Sequence, residues 1–80
     1  MGRKPKELEP LVLNRIEELR LTKGLSRAEL ADAVGVHYQT VGYLERGEYA
    51  PSLSLALRIA RVLDEPIESI FWTPEESSHA

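Results

Sequence analysis

The chain has 80 residues, 42% of them hydrophobic, a size that allows one small domain and excludes a multidomain enzyme. It contains no cysteine, and its histidines are His37 and His79, so a disulfide framework is excluded and a zinc site would lack ligands. Ten Lys and Arg residues against thirteen Asp and Glu residues give a net charge of −3, which at first argues against a nucleic-acid partner.

Membrane and secreted proteins are excluded on similar grounds. No stretch approaches the roughly 20 apolar residues of a membrane span, and the start MGRKPKELEP has no apolar run that resembles a secretory signal. We therefore expect a cytoplasmic protein that does not bind a membrane and uses no metal or other cofactor.

The two ends of the chain differ from the part between them. Residues 1–10 carry three basic residues and two prolines, a composition typical of a flexible basic arm. Residues 73–80 have no periodicity and predict a disordered acidic tail. Residues 11–72 contain no repeat and no strand pattern of four residues, so we expect one all-α domain there.

Hydrophobic spacing and capping residues predict five helices, of which the first two are the most clearly bounded. The first covers residues 11–23, and Gly24 ends it. The second begins at Ser26, which precedes Glu29 by the three residues of a capping box. It ends at Gly35, because a left-handed C-terminal residue suits glycine best.

The remaining three helices follow in the second half of the chain. The third covers residues 38–46, and the fourth begins near Pro51. The predicted buried stripe of the fourth helix consists of Leu53, Leu57, Ala60 and Leu63. Pro66 opens a short fifth helix that ends near residue 72.

The second and third helices have the pattern of a helix-turn-helix. This motif requires a small residue where the helices cross, a residue that tolerates positive φ in the turn, and apolar residues where the second helix packs on the first. The chain supplies these in order as Ala31, Gly35, Val41 and Leu44. Each residue alone is weak evidence, but the four residues at these spacings are fairly specific for a helix-turn-helix.

The segment that contains this motif resembles a known family, the Cro/cI-type (XRE) helix-turn-helix regulators, and in particular their short stand-alone members. The resemblance covers residues 14–72, NRIEELRLTKGLSRAELADAVGVHYQTVGYLERGEYAPSLSLALRIARVLDEPIESIFW. It implies a five-helix, lambda-repressor-like DNA-binding domain that acts as a homodimer on a palindromic operator. It also implies that Arg20 pairs with Glu45, although both side chains could instead be solvated, as most charged residues are. No small-molecule effector is expected, because the effector pockets of the family lie in additional domains.

The third predicted helix has two faces. At about 100° per residue, Val41 and Leu44 point towards the core. The base-readout candidates on the opposite face are Tyr38, Gln39 and Tyr43. A glutamine can bond adenine in the major groove, and a tyrosine can contact a base or a thymine methyl group. The alternative is an ordinary polar surface, although such a surface usually carries Lys and Glu instead.

A second set of residues is expected to contact the DNA backbone. Arg27 lies in the first turn of the second helix, where the family commonly has glutamine, and its guanidinium can reach a phosphate or a guanine; the alternative is an ordinary surface arginine. The other backbone candidates flank the third helix and are Thr40, Arg46, Tyr49 and Ser52.

Three residues at the start of the third helix or within it depart from the family pattern. One is Tyr38, which replaces the polar residue that is common there and leaves the base preference open. His37 occupies the position that usually carries a Ser or Thr cap, so the cap should be weaker or the imidazole should have another role. Gly42 weakens the helix by about 1 kcal/mol relative to alanine. It either permits close approach to the DNA backbone or is simply tolerated.

The end of the domain carries an unusual density of apolar residues. The expected dimer interface consists of Ile67, Ile70, Phe71 and Trp72, because an exposed apolar patch usually marks an interface. The alternative is that Ile67 and Ile70 complete the core of a monomer and that Trp72 covers it.

The sequence therefore predicts a small DNA-binding transcriptional regulator, with repression as the expected outcome. The alternative is an antitoxin-like or adaptor-like module that mainly holds another protein. An enzyme is not expected, because no nucleophile is paired with a base and no Gly-rich phosphate loop is present.

The distribution of charge removes the initial objection to a nucleic-acid partner. Residues 1–63 contain all ten basic residues against eight acidic ones, a net charge of +2, whereas residues 64–80 carry five acidic residues and no basic one, a net charge of −5. The acidity therefore lies mostly in the last helix and the tail.

Overall fold

In the computed structural model, which describes residues 12–74, the chain folds into five α-helices and one pair of very short strands. The helices are α1 (Ile16–Thr22), α2 (Arg27–Val34), α3 (Tyr38–Glu45), α4 (Leu53–Leu63) and α5 (Ile67–Ile70). The strands are β1 (Leu13–Asn14) and β2 (Phe71–Trp72). None of the helices within residues 12–74 has the length and apolar character needed to cross a membrane. The predicted five-helix fold is confirmed, whereas the predicted arm and residues 75–80 of the predicted tail lie outside the described residues.

The two ends of the domain differ from the prediction. The first helix begins at Ile16 and not at residue 11, and the predicted fifth helix ends at Ile70, after which the chain becomes extended. The segments on either side pair as antiparallel strands, with Leu13 opposite Trp72. Two residues are too few to show the alternation by which a strand is recognised, so the sequence does not reveal this ribbon.

One apolar core holds the five helices together. Its members, each at most 4% exposed, are Ile16, Leu30, Ala31, Val34, Val41, Leu44, Leu55, Ile59, Leu63 and Ile70. The three apolar or small positions predicted for the helix-turn-helix crossing are all among them. Gly35 ends α2 with a φ of 83°, a left-handed conformation that glycine adopts without strain. The helix-turn-helix therefore packs as its sequence pattern indicates.

The buried face of α4 is not the predicted one. The buried residues of this helix are Leu55, Ala56, Ile59 and Leu63. Leu53 is 70% exposed and Leu57 is 49% exposed, so two members of the predicted stripe lie at the surface. The apolar arc of α4 is wider than the face that the core covers, and helical periodicity alone does not say which part of the arc is buried.

Candidate nucleic-acid interface

Helix α3 presents the three predicted base-readout residues to solvent. Val41 and Leu44 anchor the opposite face in the core, each at 1% exposure, which fixes the rotation of the helix about its axis. Tyr38, Gln39 and Tyr43 are exposed. A surface pocket of about 220 Å³ joins them to neighbouring groups and is lined by Arg27, Tyr38, Gln39, Gly42, Tyr43 and Arg46.

His37 caps the N-terminus of α3 through its imidazole. Its Nδ1 accepts a hydrogen bond from the main-chain N–H of Gln39 at 3.1 Å. The imidazole ring also stacks on the ring of Tyr38, with centroids 4.9 Å apart and an interplanar angle of 26°. One exposed side chain thus stabilises the first turn of α3 and restricts the ring of a predicted readout residue.

A buried ion pair ties α1 to the end of α3. Arg20 donates from Nε to Glu45 Oε2 at 2.6 Å, and the two side chains are 7% and 2% exposed. Arg20 Nη1 also donates to the carbonyl oxygen of Leu25 at 2.8 Å. Among residues 12–74, no buried side-chain nitrogen or oxygen lacks a hydrogen-bond partner. The pair that the family resemblance implied is therefore present, and hydrogen bonds offset the cost of burying its charges.

Arg27 extends this ion pair to the surface. Its Nε donates to Glu45 Oε1 at 2.8 Å, so one carboxylate holds two arginines, one inside the protein and one 45% exposed. The hydrogen bond to Glu45, followed by the charge of Glu45, raises the pKa of Arg27. The Nη atoms of Arg27 make no hydrogen bond within the described residues. Arg27 is therefore held at the edge of the pocket with its outer donors available.

Arg46 also lines this pocket. Its guanidinium carbon lies 5.3 Å from the centroid of the Tyr43 ring, in cation–π geometry. Its Nε donates to Glu48 Oε2 at 3.1 Å. A Cβ atom on Gly42 would lie 3.3 Å from Arg46 Nη1, closer than such atoms normally approach. The space left by Gly42 thus accommodates the guanidinium of this same chain, a use that the sequence did not predict.

The remaining predicted backbone contacts have partly structural roles. The main-chain N–H of Thr40 donates to the carbonyl oxygen of His37 at 2.9 Å. Ser52 caps α4, because its Oγ accepts a hydrogen bond from the N–H of Leu55 at 3.1 Å. Tyr49 is exposed in the loop between α3 and α4.

Two further residues position the helix-turn-helix, a role that the sequence did not indicate for either of them. Asn14 Nδ2 donates to the carbonyl oxygen of Leu44 at the end of α3, and Arg58 Nη1 donates to the carbonyl oxygen of Val34 at the end of α2, both at 2.8 Å. Both donors bond carbonyls in the last turn of a helix, where the helix itself leaves carbonyls free; the carbonyl oxygen of Leu44 also accepts from the N–H of Gly47 at 3.0 Å. Neither lies close in sequence to the group that it bonds, so no local pattern indicates the contact.

The predicted dimer residues divide into two groups. Ile70 is fully buried in the core, so its side chain is not available to a partner; for Ile70 the monomer-core alternative applies. Ile67 and Phe71 are half-buried, and Trp72 is 37% exposed. An apolar groove of about 340 Å³ remains at this end of the domain and is lined by Val12, Ala50, Pro51, Leu53, Ala56, Ile67, Glu68 and Phe71.

The donor set of the described residues does not suggest a metal centre. No group of three or more His, Asp or Glu side chains within residues 12–74 is arranged to hold a metal ion. The chemistry of the site is thus that of hydrogen-bond donors, guanidinium groups and exposed aromatic rings.

Comparisons with known proteins agree with this architecture. A family model described as "Helix-turn-helix" (HTH_3) matches residues 16–70. An HTH-type transcriptional regulator of Bacillus subtilis, YgzD, is 44% identical over 64 residues, which cover 80% of this chain and 97% of the relative. A second HTH-type transcriptional regulator, from Methanothermobacter thermautotrophicus, is 52% identical over 64 residues, which cover 79% of this chain and 93% of the relative. The crystal structure of the restriction-modification controller protein C.AhdI from Aeromonas hydrophila superposes with a TM-score of 0.64 at 39% identity, over 68% of this chain and 82% of that one.

Proposed function

Because the chain belongs to the Cro/cI-type (XRE) family of helix-turn-helix transcriptional regulators, we propose that it binds one specific double-stranded DNA sequence as a homodimer. In this proposal the target is a palindromic operator, and binding represses transcription in the cytoplasm. The single observation that carries the proposal is the pocket on α3, which the exposed side chains of Tyr38, Gln39 and Tyr43 line together with two arginines.

Each side chain of the pocket has a suitable partner on DNA. Gln39 can form a bidentate hydrogen bond with adenine N6 and N7, and Tyr38 and Tyr43 can contact a base or a thymine methyl group. Arg27 and Arg46 carry the charges that bind phosphates without reading sequence. The anchoring of Val41 and Leu44 in the core supports this division, since it keeps the readout residues on the outer face.

Electrostatics favour specific over nonspecific binding. The helix-turn-helix and the start of the loop that follows it, residues 27–48, carry two arginines against the four acidic residues Glu29, Asp32, Glu45 and Glu48, a net charge of −2. Nonspecific affinity comes almost entirely from phosphate contacts, and few of them can form here. Discrimination must therefore come mainly from base contacts and from the use of two half-sites.

The homodimer is supported by the apolar groove that residues of α4, α5 and β2 line. Leu53 is exposed at its rim, and Ile67 and Phe71 contribute to its wall. Exposed apolar surface of this kind usually marks an interface. A two-fold dimer with one recognition helix in each of two successive major grooves would bind half-sites about 34–36 Å apart.

Selection from a pool of random-sequence duplexes with the full chain tests the proposal. The expected result is one enriched palindrome whose half-site centres are about one helical turn apart. Failure to enrich any sequence would overturn the proposal. Copurification of an untagged protein partner, together with absence of DNA retention, would favour the antitoxin-like or adaptor-like alternative.

A further inference from the structure

We infer that Gly42 is a positioning residue of the DNA interface, because its missing side chain leaves the space in which Arg46 lies across the ring of Tyr43. The inference rests on the proposed function and extends it. It assigns a role to a residue that has no side-chain functional group, and it explains why α3, the helix that carries the proposed base-readout residues, contains a glycine.

The backbone does not require glycine at this position. Gly42 lies in the interior of α3, and its φ is not in the left-handed region that favours glycine. An alanine would fit the helical backbone and would strengthen the helix. The reason for glycine therefore lies in what surrounds it.

The side-chain group next to Gly42 is the guanidinium of Arg46. A Cβ atom at position 42 would lie 3.3 Å from Nη1 and 4.0 Å from Nη2 of Arg46; apart from the adjacent residues and the backbone of α3 itself, no other described atom comes within 4 Å of that point. Gly42 is buried although it lines the surface pocket on α3. The guanidinium is thus the group that such a Cβ atom would displace.

Two further contacts hold the guanidinium in place. The Tyr43 ring lies 5.3 Å from its central carbon. Glu48 accepts from Nε at 3.1 Å and from Nη2 at 3.3 Å. Nη1, the atom nearest Gly42, donates no hydrogen bond within the described residues. The Nε and Nη2 edge of the guanidinium therefore bonds Glu48 within the protein, and Nη1 is left to donate to a phosphate oxygen.

Such preorganisation has a consequence for binding. A long side chain that is already held in its bound position loses less conformational freedom when it contacts a ligand. A methyl group at position 42 would require the guanidinium to shift by a few tenths of an ångström. Arg46 would keep its charge but no longer occupy the same position over Tyr43, and we expect DNA affinity to fall although the helix becomes more stable.

The test compares the full-length wild type with Gly42→Ala, Arg46→Ala and the double variant. The probe is a fluorescent 20-bp duplex of random sequence at low salt, and binding is measured by anisotropy. We expect Gly42→Ala to raise the urea midpoint of unfolding and to weaken binding about three- to tenfold, the effect of one charged hydrogen bond made less well. Gly42→Ala should have no further effect on binding in the Arg46→Ala background, which serves as its matched control.

Two other measurements follow. One separates the effect of the position of the Arg46 guanidinium from the effect of its charge, and the other detects that position in the absence of DNA. Arg46→Lys keeps the charge but removes the planar group that stacks on Tyr43, so it should bind more weakly than the wild type. The Arg46 Nε–Hε resonance in free protein, which the ring current of Tyr43 shifts, should move towards the value of a solvated arginine in Gly42→Ala.

The outcomes distinguish this inference from the proposed function. Wild-type affinity in Gly42→Ala or in Arg46→Lys, or losses that multiply in the double variant, would overturn the inference while DNA binding stands. An unchanged Arg46 resonance in Gly42→Ala would overturn it without reference to DNA. A wild-type chain that binds neither this duplex nor any selected one would overturn the proposed function and the inference with it.

Discussion

Asn14 donates a hydrogen bond from Nδ2 to the main-chain carbonyl oxygen of Leu44 at 2.8 Å and thereby ties the start of the domain to the end of α3. Its Oδ1 accepts from the N–H of Ile16 at 2.9 Å, and Asn14 pairs with Phe71 in the ribbon. One residue thus connects α1, α3 and the last strand. Helix α3 is therefore held in part by a contact from outside the helix-turn-helix.

Replacement of Asn14 by alanine should lower the free energy of unfolding by about 1–3 kcal/mol, because the N–H of Ile16 loses the Asn14 oxygen as acceptor and the carbonyl oxygen of Leu44 keeps only its bond from the N–H of Gly47. Urea denaturation of the full chain measures the change. The matched control is Thr22→Ala, which removes an exposed hydrogen bond to Glu18 and should change stability by no more than about 0.5 kcal/mol. Equal effects of the two substitutions would show that the Asn14 contacts contribute nothing.

Replacement of Gln39 by alanine should relax the selected DNA motif at one position of each half-site. The loss of one bidentate base contact should cost about 1–3 kcal/mol on the preferred sequence and nothing on a sequence with a different base there. Selection with the variant and competition binding with both duplexes measure the two effects. An unchanged motif would assign Gln39 to the solvated surface, and an unchanged urea midpoint checks that the fold is intact.

Removal of Arg27 should weaken binding to all duplexes alike. A plot of log affinity against log salt concentration has a negative slope. If the guanidinium contacts one phosphate, Arg27→Ala should make this slope less steep by about 0.9. Arg61→Ala is the matched control, since it removes the same charge from an exposed site that does not line the pocket. If both variants show the wild-type slope, or if both lower it equally, Arg27 makes no specific phosphate contact.

A charge at the rim of the apolar groove should separate the dimer. Leu53 is 70% exposed, so Leu53→Glu should leave the protomer folded while it places a carboxylate against a partner. We expect the dissociation constant of the dimer to rise at least about tenfold, or about 1.4 kcal/mol, in sedimentation equilibrium. Leu21→Glu is the matched control, because Leu21 is 59% exposed and does not line the groove. A wild type that is monomeric at micromolar concentration would contradict the dimer itself.

The features that could be predicted from sequence are those that neighbouring residues encode. The capping box of Ser26 and Glu29 and the left-handed Gly35 act within single turns, and the structure contains both. The burial of Val41 and Leu44 follows from helical spacing. The helix-turn-helix and the exposed face of α3 were therefore accessible from sequence, because few long-range contacts are needed to specify them.

The features that could not be predicted depend on contacts between distant segments or on one choice among several side-chain arrangements. The core selects one part of the wide apolar arc of α4, so Leu53 and Leu57 were assigned to the wrong side. Arg58 reaches the end of α2 across 24 positions of sequence. Arg46 lies close to Gly42 in sequence, but a sequence pattern does not indicate which conformation the long arginine side chain adopts.

The ribbon at the ends of the domain has a consequence for how the chain can be rearranged. Leu13 begins β1, Trp72 ends β2, and the two residues face each other across an antiparallel pair. Antiparallel strands can be joined by a two-residue hairpin turn. Such a turn could close the domain into a circle, so new termini could be opened in a surface loop and all five helices would keep their packing.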